Sequence, residues 1–426
     1  MLATLLLSLS ACRPEPDVQA APGFQRAVSL QHYFGDGLNL DPGELAASFA
    51  TEQQAFVLST TAVDHEAYKV GILAALDSAN TADLYTYWAG ARTAAISAQL
   101  QPLDALWEAE QLDQRFSPAL VRAAGSADGH KYLLPITQHH VGFFYDWELF
   151  ERLGLQPPQH WHELLALCDQ LRTAGITPIV LGARHRWPAQ FWFDYLLLRS
   201  APLEFRERLM RGEARYTHPL VLSAFARWAA LIEHDCFNTA PSPNELSWEQ
   251  AAQQLFTGKA AMALMGSWAL HGLRQTDSAA LARLDFFPFP LIDPELPRIA
   301  LGPVDGLVMP RQASNPDGAR AVLQFFSRPE IQHRFDFGAA GDKPVDDGER
   351  PDHAPSDVLE LLASRIRTEI AASPHFAFNY DLATSPAIAE LGLNAFAELL
   401  EFPDAYRQIA ENLQNEIDSL RIEAQQ

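Results

Sequence analysis

The sequence predicts an α/β protein built from mostly parallel β-sheets flanked by helices. Apolar runs of about six residues alternate along the chain with longer segments of helical periodicity. Runs of this length are typical of buried strands, and their repeated alternation with helices is typical of parallel sheets. With 426 residues, of which 48% are hydrophobic and 20% charged, the chain is long enough for two or three domains with sizeable cores.

The stretch LFTGKAAMALMGSW, residues 255–268, shows this pattern most clearly. It predicts the end of a helix, a turn at Gly258, a buried strand at 260–265, a tight turn at Gly266 and a new helix from Trp268. An aromatic residue at the carboxyl end of a parallel strand lies where open α/β sheets bind ligands. Trp268 is therefore a candidate ligand contact, and a core indole is the alternative.

The other strands are predicted by short apolar or alternating runs that end in turn residues. In chain order they are 27–31, 56–60, 83–88, 129–135, 141–146, 176–181, 284–289 and 304–309. Helices are predicted where apolar residues recur every three or four positions, as Tyr68, Ile72 and Leu76 do. They are 64–76, 147–155, 161–174, 203–211, 220–234, 317–326, 329–335, 356–371, 386–400 and 404–422, with a further helix start at Pro188.

The first residues are typical of an export signal rather than of a fold element. Residues 1–11, MLATLLLSLSA, form a short apolar run that ends in small side chains. The following LSAC, residues 9–12, resembles the lipobox of bacterial lipoproteins. That resemblance implies cleavage before Cys12, lipid attachment to Cys12 and a tether over residues 12–26. The alternative is an apolar N-terminus with a chance cysteine.

Charge and cysteine content restrict the classes of function. A formal net charge of −22 argues against nucleic acid or an anionic membrane face as a partner, although solubility alone also explains it. Cys12, Cys168 and Cys236 show no metal-binding spacing. A disulfide between Cys168 and Cys236 is possible, and the sequence does not decide it.

Several segments resemble one family in the order that the family has them. They are DLYTYWAG, GHKYLLP, the long piece from FFYDWELF to ITPIVLG, WFDYLLLR, GKAAMALMGSW, and VDGLVMP with SNPDGARAVLQFFSRPEIQ. Together they are similar to the extracellular solute-binding proteins of bacterial ABC importers, in the sugar-binding group that includes maltose- and glucose-binding proteins.

The resemblance implies two α/β lobes joined by three hinge crossings, with a sugar held in the cleft between them. Lobe one is expected at 27–138 plus 291–345, and lobe two at 139–290 plus 346–426. The expected partners are a mono- or oligosaccharide, an ABC permease in the inner membrane and the lipid bilayer through Cys12. The expected location is periplasmic or extracytoplasmic, with a lipid anchor.

A sugar needs aromatic faces for its C–H surfaces and directed polar groups for its hydroxyls. By position, the stacking candidates are Trp268, Trp88, Trp187 and Tyr33, and the polar candidates are Asp36, Asp64, His65, Gln138, Asp305, Asp342 and Asp381. The simpler alternative for the aspartates is a cap or turn role, with Asp64 the N-cap of its helix. The remaining tryptophans lie in helical patterns and are expected to pack: Trp107, Trp147, Trp161, Trp192, Trp228 and Trp248.

Other functions remain open at the level of sequence. No cofactor is expected, and no metal, because His65, His139 and His140 lack a third ligand at usable spacing. We expect no enzyme activity, since no local motif marks a pair of catalytic carboxylates. The alternatives are a lipoprotein glycoside hydrolase and a sugar-sensing lipoprotein without a permease. Arg184 and Arg186 would favour an acidic or phosphorylated ligand unless they lie in a solvated loop.

Overall fold

Two separate β-sheets form the framework of the protein, in a computed structural model that describes residues 25–34, 42–126, 128–270, 278–332 and 355–423. The strands within these residues are β1 (Arg26–His32), β2 (Phe56–Ala62), β3 (Leu84–Trp88), β4 (Leu134–Gln138), β5 (Val141–Asp146), β6 (Thr177–Ile179), β7 (Ala260–Gly266), β8 (Leu284–Phe287), β9 (Ala300–Leu301), β10 (Val304–Val308) and β11 (Phe376–Ala377). Sheet A has the order β2-β1-β3-β10-β4, and sheet B has the order β6-β7-β5-β8.

Helices cover both sheets. In the described part of the chain they are α1 (Pro42–Glu52), α2 (His65–Leu76), α3 (Ala91–Ala95), α4 (Asp104–Ala109), α5 (Leu112–Arg115), α6 (Pro118–Ala123), α7 (Trp147–Leu153), α8 (Trp161–Thr173), α9 (Gln190–Leu198), α10 (Leu203–Met210), α11 (Pro219–Glu233), α12 (Trp248–Phe256), α13 (Ser278–Ala282), α14 (Pro316–Phe326), α15 (Pro329–Gln332), α16 (Pro355–Ala372), α17 (Tyr380–Ala383), α18 (Pro386–Glu401) and α19 (Tyr406–Glu423).

The expected α/β class is confirmed, but the sheets are mixed rather than mostly parallel. β1 is parallel to β2 and β3, and β6 is parallel to β7. β10 and β5 run antiparallel to both of their neighbours. The reason is the path of the chain, because β5 and β10 are the strands that it enters from the other sheet. They therefore begin at the edge where the other strands of their sheet end.

Each sheet has its own hydrophobic core. The core at sheet A is built from residues within 28–136 and 304–331, together with Leu382. The core at sheet B is built from residues within 141–301 and 358–417. The order of these segments shows that the chain passes from one core to the other more than once.

Two of these passages lie side by side. The chain leaves β4 and enters β5 through His139 and His140, and it returns to β10 through Gly302 and Pro303. The backbone N–H of His139 donates to the carbonyl of Pro303 at 3.0 Å, which joins the two passages. The crossing expected at 338–347 lies outside the described residues.

Most predicted elements are confirmed within a few residues, including the C-terminal helices α16, α18 and α19. The strand predicted at 129–135 instead begins at Leu134, because the chain first turns at Gly129, where φ is +86°. Within the described ranges, no helix is both long and apolar enough to span a membrane.

Asp83 joins three segments of the chain at the core of sheet A. Its carboxylate accepts hydrogen bonds from the N–H and hydroxyl of Ser29, both at 2.9 Å, from the Ser314 hydroxyl at 2.9 Å and from the N–H of Asn315 at 2.7 Å. Burial opposes ionisation of Asp83, but these donors outweigh it and lower its pKa below 3.8.

We expect Asp83→Asn to lower the free energy of unfolding at pH 7 by about 2–3 kcal/mol, because an amide N–H₂ would face donors that now bind a carboxylate. Denaturant unfolding measures the difference, with the exposed Asp77→Asn as the control. The penalty should shrink as the pH falls below 3.8, since the wild-type carboxylate is then protonated in the unfolded and later in the folded state. A pH-independent penalty would contradict this role for the charge.

Candidate functional site

The four predicted stacking residues and His65 come together where sheets A and B face each other. Tyr33 follows β1, Trp88 ends β3, Trp187 lies after β6, and Trp268 follows β7, while His65 begins α2. We call these five residues the aromatic cluster. It joins the carboxyl ends of strands from both sheets, so the edge that the sequence identified is where the rings meet.

On the side of sheet A, the rings pack on one another. Tyr33 stacks on Trp88 with 4.6 Å between ring centroids and 12° between planes. His65 meets Trp88 edge-on at 5.7 Å and reaches Trp187 from the other side at 6.1 Å. Trp88 is only 6% exposed, because Tyr33 covers one face of its ring and Arg92 and Lys69 also approach it.

On the side of sheet B, Trp268 is more accessible than Trp187, which is only 7% exposed. Trp268 is partly exposed, and it lies 5.9 Å from Trp187 and 6.0 Å from Phe191 between ring centroids. Its indole folds back over Gly266, where a Cβ would come within 1.8 Å of the ring. Only glycine at the end of β7 therefore leaves room for this orientation of Trp268.

Asp305 lies on β10, the strand between β3 and β4 in sheet A. In the sheet it is opposite Trp88 on one side and Thr137 on the other. Its carboxylate accepts a hydrogen bond from the Tyr33 hydroxyl at 2.5 Å and from the Thr137 hydroxyl at 2.9 Å. Burial raises the pKa of Tyr33 well above its ordinary value, and the Asp305 charge adds to this, so Tyr33 stays a donor.

His139 connects Asp305 to the wall formed by sheet B. Its Nε2 lies 3.6 Å from the Asp305 carboxylate, and its Nδ1 lies 3.0 Å from the hydroxyl of Ser267. Its ring meets Trp268 edge-on at 5.5 Å between centroids. Burial lowers the pKa of His139, although the Asp305 charge opposes this. This crossing residue thus contacts groups from both sheets.

The sequence did not identify two charged residues beside the aromatic cluster, Glu66 and Lys69. The indole N–H of Trp187 donates to the Glu66 carboxylate at 3.1 Å, and the ammonium of Lys69 lies 5.3 Å from the Trp187 ring. Burial alone would raise the pKa of Glu66, but the His65 hydrogen bond and the Lys69 charge bring it down to about 2. Glu66 lies on the first turn of α2 and Lys69 at the start of the second, after the end of β2, and this position is the sequence signal that could have identified them.

Arg92 and Asp381 form a second contact between the two sides. The Arg92 guanidinium donates to Asp381 at 3.1 Å and lies 5.2 Å from the Trp88 ring. Gly90 precedes α3, the helix that carries Arg92, and has φ +77°. A Cβ at Gly90 would come within 2.6 Å of the Leu382 carbonyl, so the start of α3 and the segment of Asp381 approach closely. The sequence placed Asp381 at the cleft, while its partner Arg92 was missed.

A buried ion pair holds the segment that carries Asp381. Asp194 on α9 lies 2.6 Å from Arg206 and accepts a hydrogen bond from the Tyr380 N–H at 2.8 Å. Arg206 also donates to the Phe378 carbonyl at 2.6 Å, and Gln190 accepts from the Asp381 N–H at 2.8 Å. The backbone on both sides of Asp381 is therefore fixed to α9.

Other predicted residues are not brought into this arrangement. Asp64 caps α2 by accepting from the N–H groups of Glu66 and Ala67, which is the simpler alternative given above. Gln138 is buried at the end of β4, opposite Val304. Asp36, Asp342 and Cys12 lie outside the described residues.

The two arginines that would favour an acidic ligand are engaged by the protein. Arg184 donates to the Glu245 carbonyl at 3.0 Å, and Arg186 lies 3.0 Å from Glu390 on α18. Within the described ranges, no group of three or more His, Cys, Asp and Glu side chains is placed to hold a metal ion.

His140, the second crossing residue, is buried without a partner for its ring. Neither ring nitrogen has a hydrogen-bond partner among the described residues, and the ring packs against Phe286 at 5.6 Å between centroids. Burial lowers the pKa of His140 to about 3, and the Arg199 charge contributes. Because the folded state then binds this proton less readily than the unfolded state, stability falls as the pH decreases from 6.5 towards 3.

We expect His140→Phe to abolish the part of the pH dependence of stability that comes from protonation of His140. Relative to the wild type, the variant should gain about 1.4 kcal/mol of unfolding free energy per pH unit below the unfolded pKa, or about 2 kcal/mol at pH 5. Denaturant unfolding between pH 7 and pH 5 measures the slope, and the exposed His162→Phe is the control. Parallel slopes for His140→Phe and the wild type would contradict a neutral buried imidazole.

Comparison with known proteins gives a consistent family. Residues 57–333 match the family model described as bacterial extracellular solute-binding protein. An "Uncharacterized ABC transporter extracellular-binding protein" of Pyrococcus horikoshii is 24% identical over 278 residues, which cover 65% of this chain and 59% of that relative. A "Probable sugar-binding periplasmic protein" of Brucella suis is 25% identical over 158 residues, covering 37% of this chain and 36% of that one.

A solved structure has a similar fold. The bacterial solute receptor AcbH, described as having an exclusive substrate preference for b-D-galactopyranose, superposes with a TM-score of 0.79 at 22% identity, covering 93% of this chain and 100% of that one. This likeness supports the two-lobed arrangement expected from the sequence. Because the family model spans well over half of the chain, this protein belongs to the bacterial extracellular solute-binding proteins.

Proposed function

We propose that this protein binds a mono- or oligosaccharide in the groove between its two sheets and delivers it to an ABC permease. The observation that carries the proposal is the aromatic cluster with Asp305. His65 and Trp268, the partly exposed rings of the cluster, offer ring surface for the C–H faces of a sugar. Carboxylates and hydroxyl groups around them supply directed acceptors and donors for sugar hydroxyls.

The relatives support the same class of ligand. The Brucella suis protein is named for sugar binding, and AcbH for preference for a galactopyranose. The chain spans only about 59% of the length of the Pyrococcus horikoshii relative and 36% of the Brucella suis one. Ligand class and permease partner therefore come to this chain as proposals that its own groove supports.

We propose that the two sheets belong to two lobes that close on the ligand. The expected lobe one was 27–138 plus 291–345, but Ile299 and Leu301 pack in the core at sheet B. We therefore assign 291–303 to lobe two, together with 139–290 and 346–426, with Leu382 of the last segment reaching into the core at sheet A. Glu66 with Trp187 and Arg92 with Asp381 join the lobes across the groove. A ligand shifts closure only by its preference for the closed form.

The anchor completes the proposal. The family is extracellular, and the LSAC sequence supports lipid attachment at Cys12 after removal of residues 1–11. Mass spectrometry of the protein purified from bacterial envelopes tests it, since the N-terminal peptide should begin at a lipid-modified Cys12. An N-terminal peptide that retains Met1 would contradict the anchor.

The carboxylates of the groove favour binding over hydrolysis. A glycosidase needs one carboxyl group whose raised pKa lets it act as a general acid. Glu66 has the opposite property, with a pKa of about 2. Asp305 accepts from two protein hydroxyls, and Asp381 is bound to Arg92. Incubation with oligosaccharides should return them intact by chromatography, and products that increase with time would favour the glycoside hydrolase.

We expect Trp268→Ala to weaken sugar binding at least tenfold, which corresponds to loss of about 1.4 kcal/mol of contact with the partly exposed ring. A thermal-shift screen over mono- and disaccharides first identifies the ligand, and calorimetric titration then compares the variants. Trp147→Ala is the matched control, because Trp147 begins α7 at the opposite edge of sheet B. Equal affinities for Trp268→Ala and the wild type would remove Trp268 from the site.

A further inference from the structure

Two buried cysteines lie together in the core of lobe two, far along the chain from each other. Cys168 is on α8, and Cys236 follows the end of α11. Both side chains are 0% exposed, and both are thiols in the structure. They belong to the same hydrophobic core.

The backbone around them fixes their approach. Arg172, one turn after Cys168 on α8, donates to the His234 carbonyl and lies 3.9 Å from Asp235, the neighbour of Cys236. The Cys236 carbonyl accepts from the N–H of Ile179 on β6, and its N–H donates to Leu231 at the end of α11, each at 3.0 Å. These contacts hold the end of α11 against α8, and the two thiols interact directly.

We propose that Cys168 and Cys236 form a disulfide when the chain folds outside the cytoplasm. Disulfides form and persist in oxidising extracytoplasmic compartments, which is where members of this family are located. The bond would tie α8 to the end of α11 and close a long loop of the unfolded chain. The inference rests on the family's location and not on the identity of the ligand.

The chemistry requires an external disulfide, either a small-molecule disulfide or the disulfide of a thiol oxidoreductase. One cysteine thiolate attacks a sulfur of that oxidant, which forms a mixed disulfide and releases one thiolate. The second cysteine thiolate then attacks the protein sulfur of the mixed disulfide, forming the Cys168–Cys236 bond and releasing the second thiolate. Two electrons pass to the oxidant, which becomes two thiols, and the two protons lost by the cysteines end on those thiols.

Burial determines when this exchange occurs. In the folded protein the Cys168 pKa is raised, first by the hydrogen bond with Cys236 and then by burial, so little thiolate is present. The oxidant also has no access to side chains that are 0% exposed. Oxidation should therefore occur during folding, and the finished bond should resist reductant until the protein is unfolded.

The test uses the full chain, exported to the bacterial periplasm and purified without reductant. The protein is alkylated with iodoacetamide in guanidinium chloride and digested, with and without prior dithiothreitol. We expect a linked peptide pair containing Cys168 and Cys236, and alkylation of both residues only after reduction. In Cys168→Ser, Cys236 should be alkylated without reduction, which identifies the partner.

A stability measurement provides a second readout. Dithiothreitol added to the unfolded protein before refolding should lower the melting temperature of the wild type and leave Cys168→Ser/Cys236→Ser unchanged. Alkylation of both cysteines in the unreduced wild type would overturn the proposal. A peptide linking either residue to Cys12 or to a second chain, or equal effects of reductant on both proteins, would also overturn it.

Discussion

The hydrogen bonds accepted by the Asp305 carboxylate are the interactions on which the groove depends. β10 is the strand that enters sheet A from the other lobe, so its first residues lie at the edge where the neighbouring strands end. Asp305 is buried there and binds the hydroxyls of Tyr33 and Thr137, and His139 approaches it from the crossing. Burying a carboxylate is costly without such donors, so its presence orders the residues around it. Tyr33, held by Asp305, in turn supports Trp88.

Charged residues of one lobe contact partners of the other lobe, and these contacts bear on the charge of the ligand. Glu66 binds Trp187, and Arg92 binds Asp381, so each of these contacts joins groups from both sides. Burial lowers the pKa of Lys69, whereas the charges of Asp381 and Glu66 oppose that shift. An anion or cation entering this network would disturb existing pairs. A neutral polyhydroxylated ligand can donate to the carboxylates and accept from the cations without changing the balance, which agrees with a sugar.

The sequence predicted the fold and the location of the aromatic residues well, and the charged residues poorly. Trp88 ends an apolar strand, and Trp187 and Trp268 follow others, so the local pattern placed each ring at the carboxyl edge of its own sheet. Trp88 belongs to sheet A and the other two to sheet B, so only the fold brings the three rings together. Strand direction was not predictable in the same way, because β5 and β10 run against their neighbours only as a consequence of long-range crossings. Glu66, Lys69 and Arg92 were missed since charged residues near the starts of helices also occur on solvated faces. Asp64 shows why sequence leaves such carboxylates ambiguous, since it caps α2, the alternative role that its position also predicted.

Contacts within each lobe have a different role from contacts between the lobes. The Asp194–Arg206 pair and Gln190 fix the segment of Asp381 within lobe two, and Asp83 fixes elements of lobe one, without reaching the opposite lobe. The pairs that join the lobes are different, because each connects groups that the two lobes hold separately: Glu66 binds Trp187, and Arg92 binds Asp381. Trp187 is 7% and Asp381 5% exposed, so opening the lobes would separate polar partners that are now largely shielded from water. A bound sugar shifts this equilibrium only by the ring contacts and hydrogen bonds that it makes from both sides in the closed form.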